Sequence, residues 1–368
     1  MPGKRSSLNE PCHLGRNVIG ECVTCFELAD PLRMPMKGTG GSARSVVRWA
    51  RAASVFTAAT QISVAHRNRI PANMDLDMNA PKQLRLFRSH SDAELRFYDG
   101  YDPNFLASKG GILFLAAQHP DAFRDFVAAV GGNESEIDAT VFHTFVSALH
   151  FSVLHQFEAL FALLLAEFQD LPHWVFLTEY RTREIKTKAQ AYIDHQYDLI
   201  SAGVCSDRAE FITRSVYSGI TVPEDMESSF RLSVNDIGWL IEEGAKRYLG
   251  SPEYNAYKHG LRVLPGAMTL KFGKPGMPPT NTLFSMPHSV TFLEREELDD
   301  GYGYSEVTKE VNAEDSYQWL LALASIAEAV RDIRLAVLRR TAVSMTMFTF
   351  DRKKLIWLSP ITKFRVSL

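Results

Sequence analysis

The stretch from Ala139 to Phe168 constrains this chain more than any other part of it. It is apolar almost throughout, yet His143, His150, His155, Gln156, Glu158 and Glu167 interrupt it. Such groups are expensive in hydrocarbon unless paired inside a bundle, so the stretch reads as a buried helix of a soluble protein and not as a membrane span. Its apolar residues are also too dense to share one face. A helix over about 137–167 needs neighbours on most sides and belongs at the centre of a bundle.

The flanking sequence supplies those neighbours. His119-Pro120-Asp121 opens a short helix that runs through Val130 and stops at Gly131-Gly132, and Asn133-Glu134-Ser135-Glu136 then offers a cap with an acid three residues on, the predicted start of the central helix. Asp170-Leu171-Pro172 restarts a helix whose apolar face is marked by Trp174, Leu177, Tyr180, Ile185, Ala189, Tyr192, Ile193, Tyr197 and Ile200, with Gly203 closing it. Ser206-Asp207 caps a further helix through Tyr217, and Ser233-Val234-Asn235-Asp236 opens the next. Beyond Val263, short β-type runs broken by Gly and Pro predict a sheet or hairpin over about 263–310. Asn312-Ala313-Glu314-Asp315 caps a long amphipathic helix through Arg340, and the alternation in Lys363-Phe364-Arg365-Val366 fits a strand. The expected fold is mainly α: an antiparallel helical bundle with a small β-hairpin or sheet insert before a long C-terminal helix, residues 74–368 forming one domain.

Composition bounds the function. The 368 residues are 46% hydrophobic and 23% charged with a net charge of -3, which argues against nucleic-acid binding through a broad basic surface but leaves room for a local basic site. Residues 1–73 differ from the rest: they hold ten Lys/Arg and only four Asp/Glu, so this stretch is +6 and the remainder -9. Three readings fit it: translation truly starting at Met74 or Met78, a disordered extension, or an Arg-rich targeting peptide. Cys12, Cys22 and Cys25 lie there, leaving Cys205 alone in the main body, where no internal disulfide can form; a reducing, cytoplasmic setting is expected. Cys22-Val23-Thr24-Cys25 lacks the paired knuckle of a structural zinc site, so no metal is assigned, and no cofactor is expected.

The segment from Gly250 to Arg262 is the most suggestive for chemistry. Ser251 suits an N-cap, Pro252 the first helical position and Gly260 a stop, which places Asn255, Lys258 and His259 on one side of a short helix, with Arg262 able to join them. Two cations, an amide and an imidazole suit an anionic ligand such as phosphate or an RNA backbone. Basic residues are also favoured at helix C-termini for the macrodipole alone. Tyr254-Asn255-Ala256-Tyr257-Lys258-His259 resembles the polar-x-x-x-His signature of HEPN domains. Those are helical bundles, often dimeric, that bind nucleotides or cleave RNA without metal, using an Arg, a polar residue and then a His about one turn later. Asn255 matches the polar position and His259 the His, so the resemblance implies a catalytic role for His259, while Asn255, Lys258 and Arg262 are the expected ligand-binding residues of the stripe. The resemblance covers about 90 to 130 residues of bundle. Tyr254 stands where the family has Arg, so cleavage would need Lys258 or Arg262 in its place.

Other clusters read as structural. His143, His150 and His155 are spaced badly for one ion on a straight helix, and Glu158 and Glu167 do not restore the Glu-x-x-His order of di-iron bundles. Arg181, Arg183, Lys186 and Lys188 fit a solvated face, and Glu294, Glu296, Glu297, Asp299 and Asp300 an exposed acidic loop. No nucleophile elbow, P-loop or dinucleotide fingerprint occurs in a strand-to-helix context. The competing class is a non-catalytic interaction or apolar-ligand-binding protein whose long apolar helix serves an interface or pocket.

Overall fold

The computed structural model of the chain describes residues 59–62 and 90–366, apart from 221, 259–261, 273–280, 299–300, 342, 353–354 and 356–360. A short strand, β1 (Ala59–Ile62), lies within the stretch 1–73; the rest of that stretch, including its three cysteines, lies outside the described residues. The helices that follow are α1 (His90–Gly100), α2 (Phe105–Gln118), α3 (Pro120–Ala129), α4 (Ala139–Ala166), α5 (His173–Glu179), α6 (Thr182–Ile193), α7 (Tyr197–Ile200), α8 (Arg208–Ser215), α9 (Glu227–Leu249) and α10 (Pro252–Lys258). Three strands come next, β2 (Val263–Phe272), β3 (Asn281–Leu298) and β4 (Gly301–Glu310). After them come α11 (Ala313–Arg339), β5 (Val343–Thr346) and β6 (Ile361–Val366). The fold is mainly α, an antiparallel bundle with a small sheet inserted before a long C-terminal helix.

The central helix is α4, as its apolar density requires. It packs against α2 and α11 on one side and α6 and α9 on another, and β2 and β3 also rest on it. Its start differs from the expectation. Asp138, in extended conformation, caps it by accepting from the N–H groups of Thr140 (2.8 Å) and Val141 (3.3 Å). Asn133 instead closes its own 3-10 turn, donating to Glu136 and accepting from Ser135 N–H. Among the described residues α4 alone is long and apolar enough to cross a membrane, and 83% of its most apolar window is buried by the rest of the protein. Gly244 lets α9 approach closely: a Cβ there would sit 2.5 Å from the Phe157 ring of α4.

Two other expectations are corrected. The stretch read as one helix from Pro172 to Gly203 is three, α5, α6 and α7. Tyr180 and Arg181 turn extended between the first two, and Glu184 accepts from Arg181 N–H (3.3 Å) to start α6. The apolar rhythm continues across the breaks because Ile185, Ala189, Tyr192, Tyr197 and Ile200 all reach the same core. The next helix, α9, opens at Glu227, not at Ser233. Ser233 is buried within it, where its hydroxyl meets Tyr217 Oη (2.7 Å) and accepts from Phe348 N–H (2.6 Å), so a capping residue type serves tertiary contacts instead.

The larger sheet is antiparallel in the order β2-β3-β4-β6, with β4 pairing β6 from Tyr304↔Val366 to Lys309↔Ile361. Its inner face carries Met286, Val290, Phe292 and Val307. Glu294, Glu296 and Glu297 lie within β3 rather than in a loop, paired to β4, with Ser305 donating to Glu296 (2.8 Å); Asp299 and Asp300 lie outside the described residues. A two-stranded ladder joins β1 to β5. The predicted caps Asp207 on α8 and Asn312 on α11 each accept the expected backbone N–H, from Glu210 and Asp315.

Candidate functional site

A buried carboxylate organises the polar chemistry of the bundle. Glu158 lies deep on α4, its side chain 4% exposed. Its Oε1 accepts from Tyr248 Oη at the end of α9 (2.9 Å), and its Oε2 accepts from Tyr254 Oη on α10 (2.8 Å) and from Lys258 Nζ. Tyr254 and Lys258 are four apart on one helix and so reach the same group. Burial alone would raise the Glu158 carboxyl, but the Lys258 and Tyr254 hydrogen bonds outweigh it and hold the group below the usual carboxylate range. Burial and the Glu158 charge push the Tyr248 and Tyr254 phenols far up, so both stay protonated donors.

The preceding residue of α10 makes a second anchor. Glu253 is fully buried; Lys309 of β4 donates to both its oxygens (2.9 and 3.0 Å), and His150 Nε2 of α4 lies 3.5 Å away. Burial holds the His150 imidazole below its ordinary value against the pull of Glu253. Glu253 itself stays ionised, since His150 and Lys309 together overcome its burial.

Above Glu158 the cluster opens to the surface. Lys258 also donates to Thr182 Oγ1 at the start of α6 (3.3 Å) and lies 4.5 Å from the centre of the Tyr254 ring. Lys186, one turn further along α6, donates to Asn255 Oδ1 (3.3 Å) and sits 5.8 Å from the centre of the Tyr248 ring. Burial, followed by the nearby Lys258 charge, lowers the Lys186 amine. Two ammonium groups, a hydroxyl and an amide from α6 and α10 thus converge near a single carboxylate whose oxygens are already occupied by donors. That carboxylate is poorly placed to act as a base, whereas the cations above it can meet an anion.

The residues picked out by sequence fare differently. Asn255 and Lys258 come together here, though Lys258 is turned partly inward to Glu158. Arg262 is exposed just before β2 and is not part of the cluster. His259 lies outside the described residues. Glu158, Tyr248, Thr182 and Lys186 were missed. A solitary acid deep in an apolar helix had to be paired, which was the available signal for Glu158; Lys186, read as part of a solvated face, is in fact half-buried.

Other polar groups serve packing. His173 meets Tyr98 Oη through Nδ1 (2.6 Å) and lies 3.6 Å from Glu94, while half-buried Arg334 pairs with Glu167, tying α1, α4, α5 and α11 together. His143 faces His288 of β3 with their Nδ1 atoms 3.1 Å apart, and His155 is exposed, so the three histidines of α4 go separate ways. Among the described residues no three His, Cys, Asp or Glu side chains converge as metal ligands would. An open groove of about 470 Å³ runs between α8 and α9, lined by Arg208, Thr213, Phe230, Arg231 and Asn235. Asn235 is separated from Tyr248 by about 20 Å of helix. Comparison with known protein families, curated proteins and solved structures finds no match to this chain.

Proposed function

We propose that the chain binds a phosphate-bearing ligand, a nucleotide or RNA, on the face shared by α6 and α10. The observation that carries this reading is the convergence of Lys186 and Lys258 with Asn255 and Thr182 beside one saturated carboxylate, which leaves a local excess of positive charge and hydrogen-bond donors on an otherwise acidic protein. His259, the residue after Lys258, is the candidate for proton transfer. Tyr254, standing where HEPN-type nucleases have Arg, is buried against Glu158 and has no part in binding. Binding is therefore the primary activity of this reading, and cleavage would draw its cation from Lys258.

Fluorescence anisotropy with labelled oligoadenylate, competed by AMP and ATP, tests the reading. Lys186→Gln should weaken binding about tenfold and lower the salt dependence by about one counterion. His259→Ala should leave binding intact and abolish any cleavage seen on a gel. A wild-type chain that binds neither RNA nor nucleotide at low salt, or a Lys186→Gln variant that binds like the wild type, rejects the proposal.

A further inference from the structure

Tyr257 of α10 carries an aromatic ring to the surface beside the cations already described. The ring lies flat on that of Phe151 in α4, with centres 4.1 Å apart and planes 11° from parallel, yet the residue is 42% exposed. One face is thus held by α4, and solvent reaches the ring from the other side. Phe151 is itself buried and belongs to the core, so the support beneath Tyr257 is firm. Phe151, His155 and Glu158 fall within about 60° of arc on α4, and the rise from the first to the last is about 10 Å. Tyr257 rests at one end of this span, on Phe151, and the next residue, Lys258, reaches the other end, at Glu158. Between them His155 is exposed, within electrostatic reach of Lys258 and of Lys109 on α2.

We propose that Tyr257 is the stacking platform for a nucleobase, so that the ligand of the face shared by α6 and α10 must carry a base as well as a phosphate. The inference rests on the phosphate-binding reading of that face and adds the residue that recognises the base. A lone exposed tyrosine asks for no ligand. This one is bordered by Lys258, His155 and Lys109, whereas Glu158, the carboxylate of the group, is buried and saturated by three donors. An aromatic face among cations suits a flat ring tied to an anion: the base covers Tyr257, the sugar bridges the span, and the phosphate meets Lys258 and Lys186. An apolar peptide would cover the ring but leave the cations without a counter-charge. Because every base offers a π-face, the platform should discriminate little among them.

Fluorescence anisotropy of the full chain with two labelled RNA oligomers of equal length and charge, oligoadenylate and its abasic counterpart, tests the inference. The wild type should bind oligoadenylate about tenfold tighter, the ratio expected of one stacked base. Tyr257→Leu still covers Phe151 but offers no aromatic face. It should bring oligoadenylate down to the abasic affinity and leave the abasic affinity unchanged, whereas Tyr257→Trp should keep the preference. Lys186→Gln should weaken both oligomers alike. Equal wild-type affinity for the two oligomers, or a preference that survives Tyr257→Leu, overturns the inference and leaves phosphate binding in place. A wild type that binds neither oligomer rejects it together with the phosphate-binding reading.

Discussion

At the scale of single residues, the stability of the site turns on how Glu158 is satisfied. Three donors hold its carboxylate, and removing one leaves a buried charge short of a partner. Tyr254→Phe should cost about 1.5 kcal/mol in urea unfolding, the ordinary value for a hydrogen bond to a charged group, and Glu158→Gln about 2–3 kcal/mol because it strands Lys258 as well. Equal stability of Glu158→Gln and the wild type would mean that the cluster is decorative. Sequence made Glu158 visible as an acid among apolar neighbours but could not name its partners, which lie 90 to 100 positions away. Asn255 and Lys258 were legible as one stripe because helical spacing is local. What spacing cannot reveal is that Lys258 leans inward to a carboxylate on another helix while Asn255 faces Lys186.

At the scale of elements, close contact between α4 and α9 depends on a missing side chain. A Cβ at Gly244 would lie within 2.6 Å of two carbons of the Phe157 ring, and that ring, fully buried, has little room to retreat. Gly244→Ala should therefore destabilise the protein by about 1–3 kcal/mol despite its better helix propensity, measurable as a lowered Tm. Helix starts signalled by local capping were readable, as with Pro120, Asp207 and Asn312. Breaks within a continuing apolar rhythm, as at Tyr180 and Arg181, were not, because periodicity records which residues face the core and not whether the backbone stays helical between them. The helix α2 escaped notice for a related reason: apolar on every side, it has no period to find.

At the scale of the whole molecule, several buried groups make folding sensitive to acid. Burial holds the His150 and His173 imidazoles below their ordinary value of 6.5, so the unfolded chain takes up protons that the folded one resists. Stability should be full above that value and fall as the pH drops below it. Glu158 and Glu253, depressed below 4.5, add a second loss as the pH falls further through their folded values. Thermal unfolding followed from pH 8 downward should show a plateau, a decline beginning near 6.5 and a steeper decline below 4.5; a flat profile down to pH 5 would remove the histidines from this account. The bundle and its sheet were both foreseen, but the way they are joined was not. With only seven residues, α10 is too short to hold helical form unaided. Its Tyr254 grips the bundle through Glu158 and its Glu253 grips the sheet through Lys309. The face carrying Asn255 and Lys258 can therefore exist only once both parts have closed around it. A newly made chain would acquire the surface proposed to bind an anion last, and a ligand that settled there would hold the sheet against the bundle by mass action, making occupancy a report on finished folding.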